Sequence, residues 1–250
     1  MIGVVVFLLI GEVVGRSGLV DRTVLPPSST VLARAAHLVV NGGFLHDVGS
    51  TLTVWAVGLL VAIAIAVPCG LVLGSLPFVN SAVRVLIEFL RPIPAVALIP
   101  LVILMIADQA QIEQTLAAYA AVWPILINTI YAVGDMDPVP REMARTFGLG
   151  RVVILTRISL PSVAPFVATG IRVASSIALI VTISTELIAG GGEHGIGIFI
   201  LTASGISNQA DVVFAAAGIA GLLGYLIDVS MRAVERRLFR WHYERLGRPA

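Results

Sequence analysis

Glu186, Arg172 and Arg91 are ionisable residues set within long apolar runs, where a charge is expensive unless it meets a partner, water or a solute. Near them lie Thr182, Thr185, Ser175 and Ser176, and the prolines Pro92, Pro94 and Pro100 interrupt the run around Arg91. These groups can bind and pass a polar solute. No nucleophile stands at a spacing from a base that would support covalent catalysis, so no catalytic residue is expected. His194 and His242 stand singly, and His37 and His46 make a weak pair without metal-ligand spacing. Cys69, the one cysteine, reads as a small buried hydrophobe, so neither a disulfide nor a metal site is expected.

Each ionisable residue has two readings. Glu186 lines a cavity or gate, or it bonds to a neighbouring turn. Arg172 is about four turns from Glu186, too far to pair along one helix, and either lines the same path or is anchored by snorkelling or by an acid such as Glu88. Arg91 follows Glu88 by three residues, which predicts an internal pair. The hydroxyls of Thr182 and Thr185 line a path for a hydrated oxyanion or bond back to carbonyls one turn earlier.

A second set of residues occupies the polar interval 135–161. Asp137 is placed to cap a helix whose first turn accepts Pro138 and Pro140, and Gly148 and Gly150 are placed to end it. Val139, Met143 and Phe147 recur at every fourth position as an apolar stripe, with Arg141, Glu142 and Arg145 on other faces. Ala144 is small enough for close approach of a partner. So short a helix does not persist alone in water, so it should dock on protein or lie on lipid headgroups. A second helix from Arg151 to Leu160 is expected to break at Pro161, where the next apolar run begins.

These residues require a membrane frame. With 58% hydrophobic and 12% charged residues and a mean hydropathy of +0.99, the 250-residue chain reads as an integral membrane protein of continuous apolar helices, a single domain over 1–250. Six spans are expected: the Met1–Ile10 region, whose true start may lie upstream; Leu52–Leu73; Val83–Ile106, kinked or broken by its prolines; Ile112–Val133; Ser162–Ala189; and Asp211–Val229. Ser29 or Thr30 should cap a helix carrying Val31–Val40. All 16 basic residues are arginine, so no P-loop lysine exists and an energy-driven role would need nucleotide hydrolysis from another chain. The net charge of +1 gives no footing for a nucleic-acid partner.

Arginines cluster in the 135–161 loop (Arg141, Arg145, Arg151, Arg157) and in the 231–250 tail, which places both in the cytoplasm together with both termini. Arg16, Arg22 and Arg34 of the first loop run against this rule, with acids beside them. The glycine-rich turn Gly190–Gly197 then falls on the outer side, where an external protein would dock.

Glu142-Met143-Ala144, Gly148, and Ile158-x-Leu160-Pro161 resemble the EAA loop of importer-type ABC transporter permeases, with Met143 in place of the first alanine. RPIPAVALIPL at Arg91–Leu101, GIRVASSIA at Gly170–Ala178, TELIAGGGEHGIG at Thr185–Gly197 and ERRLFRWH at Glu235–His242 are similar to the nitrate, sulfonate, taurine and bicarbonate branch. The resemblance implies a six-helix permease of MetI-like fold in the bacterial inner membrane. It also implies a second permease copy, two cytoplasmic ATPase subunits that bind ATP and Mg, and an extracytoplasmic substrate-binding protein. Arg141, Glu142, Met143, Ala144, Arg145, Phe147, Gly148, Leu149, Leu160 and Pro161 would form the ATPase-coupling site. Glu186, Arg172, Thr182, Thr185, Arg91 and Pro94 would belong to the pathway. A small oxyanion is the expected solute, with an amine or vitamin precursor as the alternative. A stand-alone secondary carrier is the competing class, and it has no need of a spaced docking loop.

Overall fold

Every fourth residue from Gly58 to Gly74 is small: Gly58, Ala62, Ala66, Gly70 and Gly74. Apolar association in a bilayer gains little from excluding water, so close packing at such a stripe holds helices together. In the computed structural model, which describes residues 2–17, 21 and 23–240, this stripe organises an all-α bundle.

The helices are α1 (Ile2–Arg16), α2 (Ser28–Val39), α3 (Gly42–Ser75), α4 (Pro77–Leu90), α5 (Ile99–Met105) and α6 (Gln109–Gly134). Then follow α7 (Pro138–Thr146), α8 (Arg151–Ile154), α9 (Leu160–Ala189), α10 (Ile196–Ser204) and α11 (Ala210–Leu238). A 3₁₀ turn, Ala95–Leu98, leads into α5, and a wider π-type turn, Leu155–Ser159, leads into α9.

The stripe on α3 seats against α6. A Cβ added at Gly58 would lie 2.9 Å from Ala117 Cβ, at Gly70 2.6 Å from Thr129 Cβ, and at Gly74 2.7 Å from Val133 Cβ. The register is constant in one sense, so α3 and α6 run parallel. Helix α9 packs antiparallel on both, bringing Gly170 against Asn128 and burying Ala174 and Ala178 with Ala62, Ala66, Ala117, Ala121 and Ile125. Asn41 caps α3 through Oδ1, which accepts from Gly43 N at 2.9 Å and Phe44 N at 3.3 Å.

Four helices are long and apolar enough to cross a bilayer: α3, α6, the continuous Arg157–Ala189 segment and α11. The proline-rich third span is fully broken, its two halves (Phe78–Leu90 and Ala95–Met105) bent by 77°. Among the described residues this gives four such helices, or five spans if the bent pair is one span. Helix α1, at 15 residues, is about 22 Å long and falls short of the ~30 Å hydrocarbon layer.

Two local expectations change. No side chain of α2's own start caps it; Glu12 of α1 does so, Oε2 accepting from Ser29 N at 2.8 Å and Oε1 from Ser29 Oγ at 2.9 Å. Pro161 does not break the chain into two helices. It falls in the first turn of α9 just after the π-type turn, where the wider ladder accommodates a residue with no N–H.

Candidate functional site

Three groups of polar residues are built on this frame. The first is α7. Asp137 caps it as expected, accepting from Val139 N at 3.0 Å, and Pro138 occupies the first turn. Gly148 ends it at φ +73°, a conformation glycine adopts without steric penalty, and the last carbonyls are met by Phe147 N, Gly148 N and Leu149 N. Val139, Met143 and Phe147 are 53%, 56% and 78% exposed, so the stripe faces away from its own chain. Glu142, Arg145, Leu149, Leu160 and Pro161 are also exposed. Ala144 is buried at 5%, so the close approach it permits is to its own chain and not to a partner. The Arg141 side chain lies outside the described residues, as do Arg22, Arg245, Arg248 and His242.

The second group lies at the opposite end of α3 and α9. Glu186 is fully buried; Oε1 accepts from Thr51 Oγ1 and Oε2 from Gly197 N, each at 2.7 Å, while Ile196 N donates to Thr51 Oγ1 at 2.9 Å. Gly195 and Gly197 are glycine because the carboxylate side chain fills the space of a Cβ: one at Gly195 would lie 2.7 Å from Glu186 Cδ, one at Gly197 2.6 Å from Glu186 Cβ. Asp47 Oδ1 accepts from Gly195 N at 3.3 Å and contacts His194 Nδ1 at 3.2 Å, and Ser50 Oγ donates to His194 O. Of the two readings of Glu186, the bond to a neighbouring turn describes its contacts.

His194 is therefore not single: its ring packs edge-on to His46 at 4.2 Å, and donor atoms of His46, Asp47 and His194 lie within 4.8 Å of one another. Sequence spacing hides this, because the residues come from α3 and from the turn before α10. Thr182 and Thr185 are fully buried in packed helix faces; Thr185 Oγ1 donates back to Val181 O at 2.8 Å, and Thr182 Oγ1 meets no partner among the described residues.

The third group surrounds the break between α4 and α5. Pro94, extended at φ −65° and ψ 124°, starts the 3₁₀ turn, and Arg91 ends α4. Glu88 pairs with Arg84 at 2.7 Å, not with Arg91 as the spacing suggested, because the i,i+4 partner reaches it first. Arg91 instead lines a cavity of about 430 Å³ with Tyr119, Trp123 and Asn128 of α6. Arg172 pairs with Glu235 of α11 at 3.3 Å rather than with Glu88, and Thr169 Oγ1 donates to the same carboxylate at 2.9 Å. The signal for the cavity was present in the sequence as Tyr119, Trp123 and Ile127 at every fourth position of one span.

Residues 58–240 match the family described as binding-protein-dependent transport system inner membrane component. The chain belongs to this family. This permease is 26% identical to the taurine transport system permease protein TauC of Escherichia coli over 245 residues, covering 96% of the chain and 88% of TauC. It is 28% identical over 236 residues to the putative aliphatic sulfonates transport permease protein SsuC of Bacillus subtilis, covering 94% of the chain and 84% of that protein. Its fold is similar to that of the MetNI methionine ABC transporter in an inward-facing conformation, with a TM-score of 0.62 at 21% identity, covering 77% of this chain and 94% of that one. The permease is thus the inner-membrane component of an ABC importer for small solutes, of the nitrate, sulfonate and taurine branch.

Proposed function

We propose that this permease carries a small oxyanion of the sulfonate class across the membrane and that α7 couples the passage to ATP hydrolysis on partner subunits. The observation that carries the coupling is the exposed Val139, Met143 and Phe147 stripe on a helix joined to α9 through α8 and one π-type turn. An isolated nine-residue helix with such a stripe in water lacks a stable home, and a cleft on an ATPase supplies one. In this reading two ATPase subunits hold ATP and Mg, a binding protein delivers the solute to the Gly190–Gly197 side, and two permease copies face each other. The arginine-bearing loop and tail then lie in the cytoplasm, with both termini.

The substrate class follows from the kinship with taurine and sulfonate permeases and from arginine at the broken span. The buried acid Glu186 is no objection, since its oxygens are engaged by Thr51 and Gly197 instead of facing the Arg91 cavity.

Co-purification of the tagged permease with an ATPase, followed by hydrolysis assays with the binding protein and taurine, tests this reading. Glu142→Ala and Gly148→Asp are expected to remove most solute-stimulated hydrolysis while leaving the thermal unfolding midpoint of the spans within a few degrees. Full stimulation in both variants would defeat the coupling role. ATP-independent uptake by the permease alone would favour a stand-alone carrier.

A further inference from the structure

Arg91 is a cation without an ion-pair partner among the described residues, at mid-height in the bundle. Its height follows from Tyr119, whose Oη donates to Leu90 O at 2.9 Å. Tyr119 lies about 15 Å along α6 from Gln109 and about 22 Å from Gly134 at 1.5 Å per residue. An arginine at that depth is costly facing lipid unless it snorkels or lines a wet cavity. The neighbouring acid Glu88 is held by Arg84; it lines an adjoining cavity with Arg91, while the cavity that Arg91 shares with Tyr119, Trp123 and Asn128 has no carboxylate in its wall.

The rest of the wall suits an anion. Asn128 uses one amide hydrogen on Pro124 O at 2.8 Å and keeps the other. Trp123, another wall residue, has a buried Nε1 that meets no acceptor among the described residues. Asn128 also lines a second cavity that reaches Asp137, the cap of α7, and Arg91 and Ile127 line a third beside it.

We infer that Arg91, with Asn128 and Trp123, forms the mid-membrane contact point for a small free oxyanion, and that the 77° break in the third span exists to hold the guanidinium there. The inference rests on the importer reading and deepens it. A phospholipid phosphate shares the same chemistry, and the test separates the two.

The test uses the assembled transporter in nanodiscs with Cys69→Ser and Asn128→Cys. Modification rates are measured with two near-isosteric methanethiosulfonates, one carrying ethanesulfonate and one ethyltrimethylammonium. The ratio of anionic to cationic rate is expected to fall about tenfold when Arg91→Gln is added and to be largely kept in Arg91→Lys, as a nearby point charge requires. Millimolar ethanesulfonate should slow modification only when Arg91 is present. An unchanged ratio overturns the inference. Protection from both reagents in phosphatidylglycerol nanodiscs, relieved in detergent, assigns the cation to a lipid phosphate and also overturns it. Uptake is measured in parallel on the assembled transporter that keeps Asn128: ATP-driven taurine uptake there, with an unchanged ratio in the cysteine variant, leaves the importer reading intact. A charge-dependent ratio with no ATP-driven uptake of taurine, ethanesulfonate or nitrate by the transporter that keeps Asn128 removes that reading and leaves the anion contact.

Discussion

A carboxylate with no exposed surface must satisfy its oxygens within the fold, and Glu186 does so across α3, α9 and the start of α10. Glu186→Ala removes both acceptors and opens a hole beside Gly195 and Gly197, so a loss on the order of 3–5 kcal/mol is expected. Glu186→Gln keeps the shape but sets an amide against Thr51 Oγ1 or Gly197 N, for a loss of about 1–3 kcal/mol. Thermal unfolding in a single detergent should rank wild type, Gln and Ala in that order; an Ala variant as stable as wild type would show that the turn is held some other way. The buried acid itself was legible in the sequence. Its partner Thr51 was not, since a threonine in an uncharged run carries no mark of the residue it will meet 135 positions later.

At the scale of elements, the α3 stripe is the most exacting feature. Gly70→Ala would set a Cβ 2.6 Å from Thr129 Cβ and 3.1 Å from Leu126 O, where neither can retreat far, and about 1–3 kcal/mol should be lost. Gly134→Ala, with nothing within 4 Å, should be neutral or slightly stabilising through helix propensity. Unfolding midpoints of the two variants side by side provide the check. A second link joins α9 to α11, where Glu235 takes both Arg172 and Thr169. The apolar runs announced the helices that hold the spans, α6 and α9 to within a few residues, while α3 starts ten residues before and α11 ends nine residues after the run that announced it, because hydropathy marks what crosses a bilayer and not where the helix itself stops. The partner of Arg172 did not follow, because pairing between spans depends on which helices pack together, and the sequence read alone gives no such adjacency.

Across the whole molecule, α7, the broken span and the Glu186 cluster all attach to one three-helix frame of α3, α6 and α9. The expected loop 135–161 was legible down to its cap and its terminating glycine, since both are dictated by local chemistry at Asp137 and Gly148. The direct run of this loop into the next span was expected as well; what local chemistry did not reveal is that Pro161 falls inside the first turn of α9, after a π-type turn, instead of ending a separate helix. The parallel register of α3 and α6 has its own consequence. A chain that lays two spans side by side in the same sense must double back between them, and here the return is the α4–α5 segment, whose ends are fixed by the frame while its middle is severed. Its hold on the frame is by side chains, Tyr119 on Leu90 O and Ala95 and Ile99 buried against Ile112 and Leu116, and not by the glycine contacts that join α3 to α6. Amide hydrogen exchange should then sort the molecule by that distinction: the 58–74 and 117–133 segments should stay protected longest, and 91–98 should exchange orders of magnitude sooner. Equal protection of the two would mean the return strand is as firmly bolted as the frame it connects.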